Sequence, residues 1–321
     1  MERYGLSASA SRTTTGTWDA HRQLEAALAL WFDEEDAVLV PAGWSAATAV
    51  AQALAPDCDV VLLDDGAHPA LSAAAVLTGL PTRSFAHFDA ASARTARSAR
   101  RGAERPLILA CALDLPAGTS APVDALHALA VASNGQLLVD DAHGIGVLGA
   151  RGRGATEALT GSRDRLHLAG SLAKAFGAQG GFTIGTRAFC TAVRTRATVY
   201  TGGTPIPPAV AAGAVEALRI AAAPERRERV LLNADRLSNA LRELGLRVPA
   251  ERVPWFSIDN FDGERLATLS NELADAGFLV PHLRYPGSPP QGLLRITLSA
   301  AHTHDELTRL ISALRIAVAA D

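Results

Sequence analysis

The stretch Gly170-Ser171-Leu172-Ala173-Lys174-Ala175-Phe176-Gly177 contains the only lysine in the chain. Lysine and arginine together number 30, so every other basic side chain in that count is arginine. Either residue can carry a solvated positive charge. Only lysine can lose its proton when desolvated and attack a carbonyl, because arginine stays protonated. Lys174 sits between small residues, after the apolar run Leu166-His167-Leu168-Ala169 and before Gly180-Gly181. That setting reads as chemistry rather than as a leftover surface charge.

Working outward, apolar runs of strand length alternate with helical patterns. Strands are expected at 37–40, 59–63, 106–112, 136–140, 166–169 and 181–184. Helices are expected at 18–32, 46–54, 69–78, 123–133 (capped by Ser120), near 186–196, and at 207–222. Residues 4–17 read as a small-residue loop. This alternation predicts an α/β fold, a mostly parallel sheet with helices on both faces. Ligands of such sheets sit beyond the carboxyl ends of the strands. His68, Asp140, His143 and Lys174 all fall at or just after expected strand ends. After Ala223-Pro224 the rhythm changes to a long amphipathic helix ending near Leu244. Strands at 255–258 and 293–298 then alternate with helices at 264–276 and from Thr303. Thr303 and Glu306 have the spacing of a capping box. Residues 1–223 are therefore expected to form a large domain and 224–321 a smaller α+β domain, with 282–292 a surface loop.

Composition narrows the function. Net charge is -3 and no basic face stands out, which argues against nucleic acid. The three cysteines, Cys58, Cys111 and Cys190, have no metal-binding spacing and suit a reducing compartment. No apolar run reaches membrane-span length, and Met1-Glu2-Arg3 does not begin a signal core. A cytoplasmic protein without a metal, off the membrane, is expected. Gly144-Ile145-Gly146-Val147-Leu148-Gly149 has the letters of a dinucleotide fingerprint. The loop-like Ala150-Arg151-Gly152-Arg153-Gly154 follows where that motif needs a helix, so the nicotinamide reading is rejected.

VDDAHGIGVLGARGRG (139–154) with SLAKAFG (171–177) resembles the α-oxoamine synthases, a pyridoxal-phosphate family. The likeness runs from about Tyr4 to the C-terminus. It takes in Arg12 to Gly16, Asp65 to His68, YTGGTPIPP (200–208) and LLRITLSAAH (293–302). It implies the fold type I transferase architecture, pyridoxal 5'-phosphate as cofactor, and a homodimer with its active site at the subunit interface. It implies that Lys174 carries the cofactor covalently and later moves the Cα proton. Asp140 pairs with the pyridine nitrogen, His143 with the phenolic oxygen, and His68 stacks on the ring. Gly43, Trp44 and Ser171 hold the phosphate, with Thr201 and Thr204 reaching across from the partner subunit. Arg295 grips the substrate carboxylate. The implied reaction joins a small α-amino acid to an acyl thioester, carried by coenzyme A or a carrier protein, with loss of CO2.

Two departures bear on the reaction. The family's N-terminal segment, with an asparagine that positions substrate, is expected to be missing. Cys111 to Ala117 replaces a stretch carrying an acidic residue and a Ser-Met-Asp, so Leu115 stands where a serine supports the phenolic oxygen. Two rivals stay open: a transamination, decarboxylation, racemisation or lyase reaction with the same cofactor, and a non-catalytic partner subunit. Retention of Lys174, Asp140 and His143 argues against the second.

Overall fold

The computed structural model describes residues 5–98, 104–285 and 287–319. Tyr4, Pro286 and residues 320–321, each part of an expected loop or domain, lie outside them. The chain divides into two compact units, Met1–Leu113 with Ala121–Ala223, and Asp114–Ser120 with Pro224–Asp321.

The first unit opens with helix α1 (Asp19–Phe32), whose Leu24, Leu28 and Phe32 recur at helical spacing and are buried. Strand β1 (Asp36–Val40) and helix α2 (Gly43–Leu54) follow. Then come β2 (Val60–Asp64), α3 (Pro69–Leu77), β3 (Thr82–Phe85), α4 (Ala90–Ser98), β4 (Pro106–Cys111), α5 (Val123–Ala132), β5 (Gln136–Asp140), β6 (Leu166–Ser171) and β7 (Gly181–Gly185). Helices α6 (Arg187–Arg196), α7 (Thr198–Thr201) and α8 (Pro208–Ala222) close the unit. The seven strands lie in the order β1-β7-β6-β5-β4-β2-β3. β7 runs antiparallel to both neighbours, and the pairs from β6 through β3 are parallel. The expected mostly parallel sheet is therefore present, and β1, β2, β4, β5 and β6 end on one edge.

Successive residues of a strand point to opposite faces. Leu137, Leu138 and Val139 of β5 are all fully buried, so both faces of the sheet are covered. The helix side of that core is rich in alanine: α2 packs Ala46, Ala47, Ala49 and Ala53 against the strands and α3. Small residues let a helix approach the sheet closely, and α2 is the helix that starts at the edge where the chemistry is expected. The N-terminal loop is fixed by Arg12, whose Nη2 donates to both carboxylate oxygens of Glu25 at 3.0 Å. Glu25 in turn accepts the Leu39 N–H of β1 at 3.0 Å.

Three details differ from expectation. β3 and α4 have no apolar run to announce them; β3 reads Thr-Arg-Ser-Phe at a sheet edge with only Phe85 buried. α2 begins at Gly43, because Ser45 Oγ bonds both the N–H and the C=O of Ala42 and closes the first turn. Ser120 does not cap α5. Pro122 holds the cap position, and the Ala121 N–H is drawn back to the Ala112 carbonyl at 2.9 Å.

The second unit has helices α9 (Glu225–Glu243), α10 (Gly263–Asp275) and α11 (His304–Ala319), and strands β8 (Trp255–Ile258), β9 (His282–Leu283) and β10 (Leu293–Thr297). The strands form an antiparallel sheet in the order β8-β10-β9. Phe256, Ile258, Leu294 and Ile296 point to one face and join the leucines of α9, α10 and α11 in a core. Each fully buried leucine there stabilises the unit by about 1.5–3 kcal/mol. The α11 capping box is present: Glu306 N–H donates to Thr303 Oγ1 at 3.2 Å, and Thr303 N–H to Glu306 Oε2 at 2.8 Å. Residues 114–120 join this unit because the Gly118 carbonyl accepts the Glu251 N–H at 3.1 Å and Gly118 lies against Pro249. Among the described residues no helix is long and apolar enough to cross a membrane, and no disulfide forms.

Candidate active site

The carboxyl edge of the large sheet brings together most of the residues singled out above. Asp140 ends β5, opposite Ala169 of β6 and Cys111 of β4. Its Oδ1 accepts the Ala142 N–H at 3.1 Å. Burial is the first cause that pushes its carboxyl above the ordinary range, and the charges of His68 and Lys174 pull the other way. A carboxyl in that position calls for a cationic partner. Lys174 follows β6 in a turn closed by bonds from Leu172 N–H to Gly180 O and from Ala178 N–H to Leu172 O. Its side chain is exposed and makes no hydrogen bond or ion pair among the described residues. His143 is half-buried in the turn after β5.

His68 is the N-cap of α3. Its Nδ1 accepts the Ala70 N–H at 3.2 Å, which leaves Nε2 to carry the ring proton of the neutral form. Its backbone N–H donates to Cys111 Sγ at 3.3 Å. The exposed Trp44 meets the His68 ring edge-on, with centroids 5.7 Å apart. Gly43 and Trp44 form the first turn of α2, so their N–H groups have no acceptor within the helix. Ser171 is buried and accepts the Ala173 N–H at 3.1 Å. A Cβ on Gly43 would come within 2.6 Å of Ser171 Oγ. The hydroxyl and the two orphan amides therefore adjoin, and only glycine leaves the space between them open. A helix N-terminus beside a hydroxyl suits a phosphate.

Thr201 and Thr204 are not brought to this cluster within one chain. Thr201 ends α7, where its carbonyl accepts a bond from Thr13 Oγ1 at 3.3 Å, and Thr204 is exposed. Arg295 lies in the second unit, on β10.

Asp141, beside Asp140, is held inside the fold. Its carboxyl is buried and is pushed up to about 8, chiefly by burial and then by the charge of Asp140, against a hydrogen bond from the Thr156 N–H. Gly144 and Gly154 pack against its two oxygens; an added Cβ would approach them to 2.2 and 2.1 Å. Gly146, at φ +84°, lies where a Cβ would come within 2.3 Å of Ala175. The dinucleotide-like glycines thus seat a loop on Asp141 and on the turn that carries Lys174. Sequence reasoning gave Cys111 no place at the site. Its contact with His68 depends on β4 lying next to β2, which no local signal records.

This edge, with a lone lysine one turn past β6 and a half-buried aspartate ending β5, has the layout of the fold type I transferases that use pyridoxal phosphate. A family profile for aminotransferase class I and II matches residues 2–314. The 8-amino-7-oxononanoate synthase of Thioalkalivibrio sulfidiphilus is 35% identical over 315 residues, 97% of this chain and 80% of that protein. The enzyme of that name from Methylococcus capsulatus is 35% identical over 324 residues, 99% of this chain and 83% of that protein. The structure of Sphingomonas wittichii serine palmitoyltransferase superposes with a TM-score of 0.92 at 26% identity, covering 99% of this chain and 81% of that one. The chain belongs to the aminotransferase class I and II family, in its α-oxoamine synthase branch.

Proposed function

We propose that this protein is a pyridoxal-phosphate-dependent acyltransferase that condenses a small α-amino acid with an acyl thioester, with loss of CO2, as a cytoplasmic homodimer. The observation that carries this is the placement of Asp140, whose raised carboxyl feels the charges of the only lysine and of His68 at one sheet edge. The residues present fit the cofactor. The raised carboxyl of half-buried Asp140 suits a protonated ring nitrogen. A glycine-bared helix start beside Ser171 awaits a phosphate. When bound, pyridoxal phosphate supplies an electron sink for the bonds at Cα.

The chain's own groups do the rest. Asp140 holds the proton on the pyridine nitrogen, so the ring withdraws more strongly. Lys174 Nζ would hold the cofactor, and its amine would take and return the substrate's Cα proton. His68, fixed by its N-cap bond and by Trp44, covers the ring face and excludes water there. His143 donates to the phenolic oxygen. The amides of Gly43 and Trp44 and the Ser171 hydroxyl anchor the phosphate, with Thr201 and Thr204 of the partner subunit completing it. Arg295 binds the substrate carboxylate through its guanidinium.

The test is an absorption titration. Purified protein with pyridoxal phosphate is expected to show a visible band that shifts with one amino acid and changes again only when an acyl thioester is added. A band that shifts with amino acids but ignores every thioester would replace acyl transfer by another reaction on the same cofactor. Absence of any band would overturn the reading.

A further inference from the structure

The sheet of the second unit has one face in the core and one face outside it. Trp255, Ser257 and Arg295 lie on the outer face, because Phe256, Ile258, Leu294 and Ile296 take the core face. Ser257 and Arg295 stand directly opposite each other in the β8–β10 register. Side chains so paired share a face, with Cβ atoms about 4.5–5.5 Å apart.

Both residues are only 9% exposed. Arg295 Nη1 donates to the Leu115 carbonyl at 2.8 Å, and the guanidinium packs over the Trp255 ring at 5.3 Å. These contacts orient the cation and the charge of Asp114 favours it, but among the described residues Arg295 makes no ion pair. Beside it, the Ser257 hydroxyl is buried with no hydrogen-bond partner. Arginine offers only donors, so it cannot accept from Ser257. A buried cation with no carboxylate in contact and a buried hydroxyl lacking an acceptor, side by side, are two costs that a single ligand relieves. The ligand must accept at two adjacent points and carry one negative charge. A carboxylate does both; a phosphate dianion would exceed the one cation present.

We infer that Ser257 is a second carboxylate-binding residue, its hydroxyl donating to one oxygen of the substrate's α-carboxylate while the Arg295 guanidinium holds the other. This rests on the proposed reading of the protein as an amino-acid-binding pyridoxal-phosphate enzyme. It assigns Ser257 a part in selecting acids over the corresponding amines. Leu115 then has a role of its own: its backbone carbonyl, not its side chain, sets the angle of Arg295.

The experiment compares alanine with ethylamine, the same carbon skeleton without the carboxylate. Each is titrated against the loaded protein, read by the visible band, in wild type, Ser257→Ala and Ser257→Thr. Wild type is expected to prefer alanine. Ser257→Ala should lose about tenfold of that preference, the scale of one hydrogen bond to a charged group, with ethylamine unchanged. Ser257→Thr, which keeps the hydroxyl and suits a strand, should retain it. An unchanged preference in Ser257→Ala, or equal weakening of both ligands, would overturn the inference while leaving the proposed function standing. Should the wild type show no visible band, the proposed function fails, and the subsite is read on the full chain with propionate against propionamide by calorimetry. Weaker propionate binding in Ser257→Ala than in wild type then supports the subsite. Equal binding by the two proteins, or no binding of propionate by wild type, overturns it.

Discussion

The carboxyl edge of the large sheet and the outer face of the small sheet both hold a charge in need of a partner, but they are built differently. At the large edge, Asp140, Ser171 and Lys174 sit where strands stop, and backbone amides of a helix start join them. On the small sheet, Arg295 and Ser257 sit in mid-strand and meet through cross-strand register. The first arrangement is a property of chain positions. The second is a property of pairing. Substitutions should separate the two: changes at the large edge remove cofactor chemistry, and changes on the small sheet alter substrate choice with the cofactor still bound.

The largest effect is expected at Lys174. Lys174→Ala should abolish the visible band formed with pyridoxal phosphate and lower turnover by about a thousandfold or more, since no other lysine can substitute. A band like that of wild type would break the comparison at its root. Next comes Asp140→Asn, which keeps the shape and loses the charge. Turnover should fall by about a hundredfold or more, within the usual range for a positioned proton-handling group. Cofactor titration should show retained but altered absorption. If Asp140→Asn turned over like wild type, this carboxyl would have no part in tuning the ring.

On the small sheet, Arg295→Ala should raise the amino-acid KM by about ten- to a hundredfold, the range for a charged hydrogen bond. The band with cofactor alone should not change. Arg295→Lys should rescue little, because an ammonium lacks the fork that matches a carboxylate. A change in the cofactor band in Arg295→Ala would mean that the two regions are not separable.

How much of this was legible follows the same division. β2, β5 and β6 announce themselves as short apolar runs ending in polar residues, so their ends, and His68, Asp140 and Lys174 with them, could be placed from sequence. The lone lysine needed no structure to stand out. β3 was not legible because an edge strand has little to bury, and Thr82-Arg83-Ser84 shows no apolar alternation. Cys111 under His68, and Ser257 beside Arg295, were not legible either. Each depends on which strands are neighbours and in what register, and a one-residue slip would send Ser257 into the core. The glycines at 144, 146 and 149 resemble a nucleotide loop, yet the atoms they accommodate belong to Asp141, Ala175 and Glu157.

The remaining expected effect is on stability rather than on chemistry, and it lies wholly in the first unit. Asp141 is pushed up to about 8 by burial and the charge of Asp140. His167, on β6, is pushed down to about 4 by burial alone. For Asp141 the folded state keeps a proton that the unfolded chain gives up near pH 4. Its contribution is therefore complete below about pH 4 and is lost as pH rises through about 8. For His167 the folded state refuses a proton that the unfolded chain takes up near pH 6.5. Its contribution is complete above about pH 6.5 and is lost as pH falls through about 4. Each slope is up to about 1.4 kcal/mol per pH unit. The two oppose each other between about pH 4 and 6.5, and only the Asp141 slope remains from there to about pH 8. Asp141→Asn should remove the decline on the alkaline side and expose the His167 slope on the acid side, read by denaturant unfolding across pH. His167→Gln should do the reverse and leave the alkaline decline intact. If Asp141→Asn kept the wild-type decline between about pH 6.5 and 8, the buried acid beside Asp140 would not be the group that titrates there.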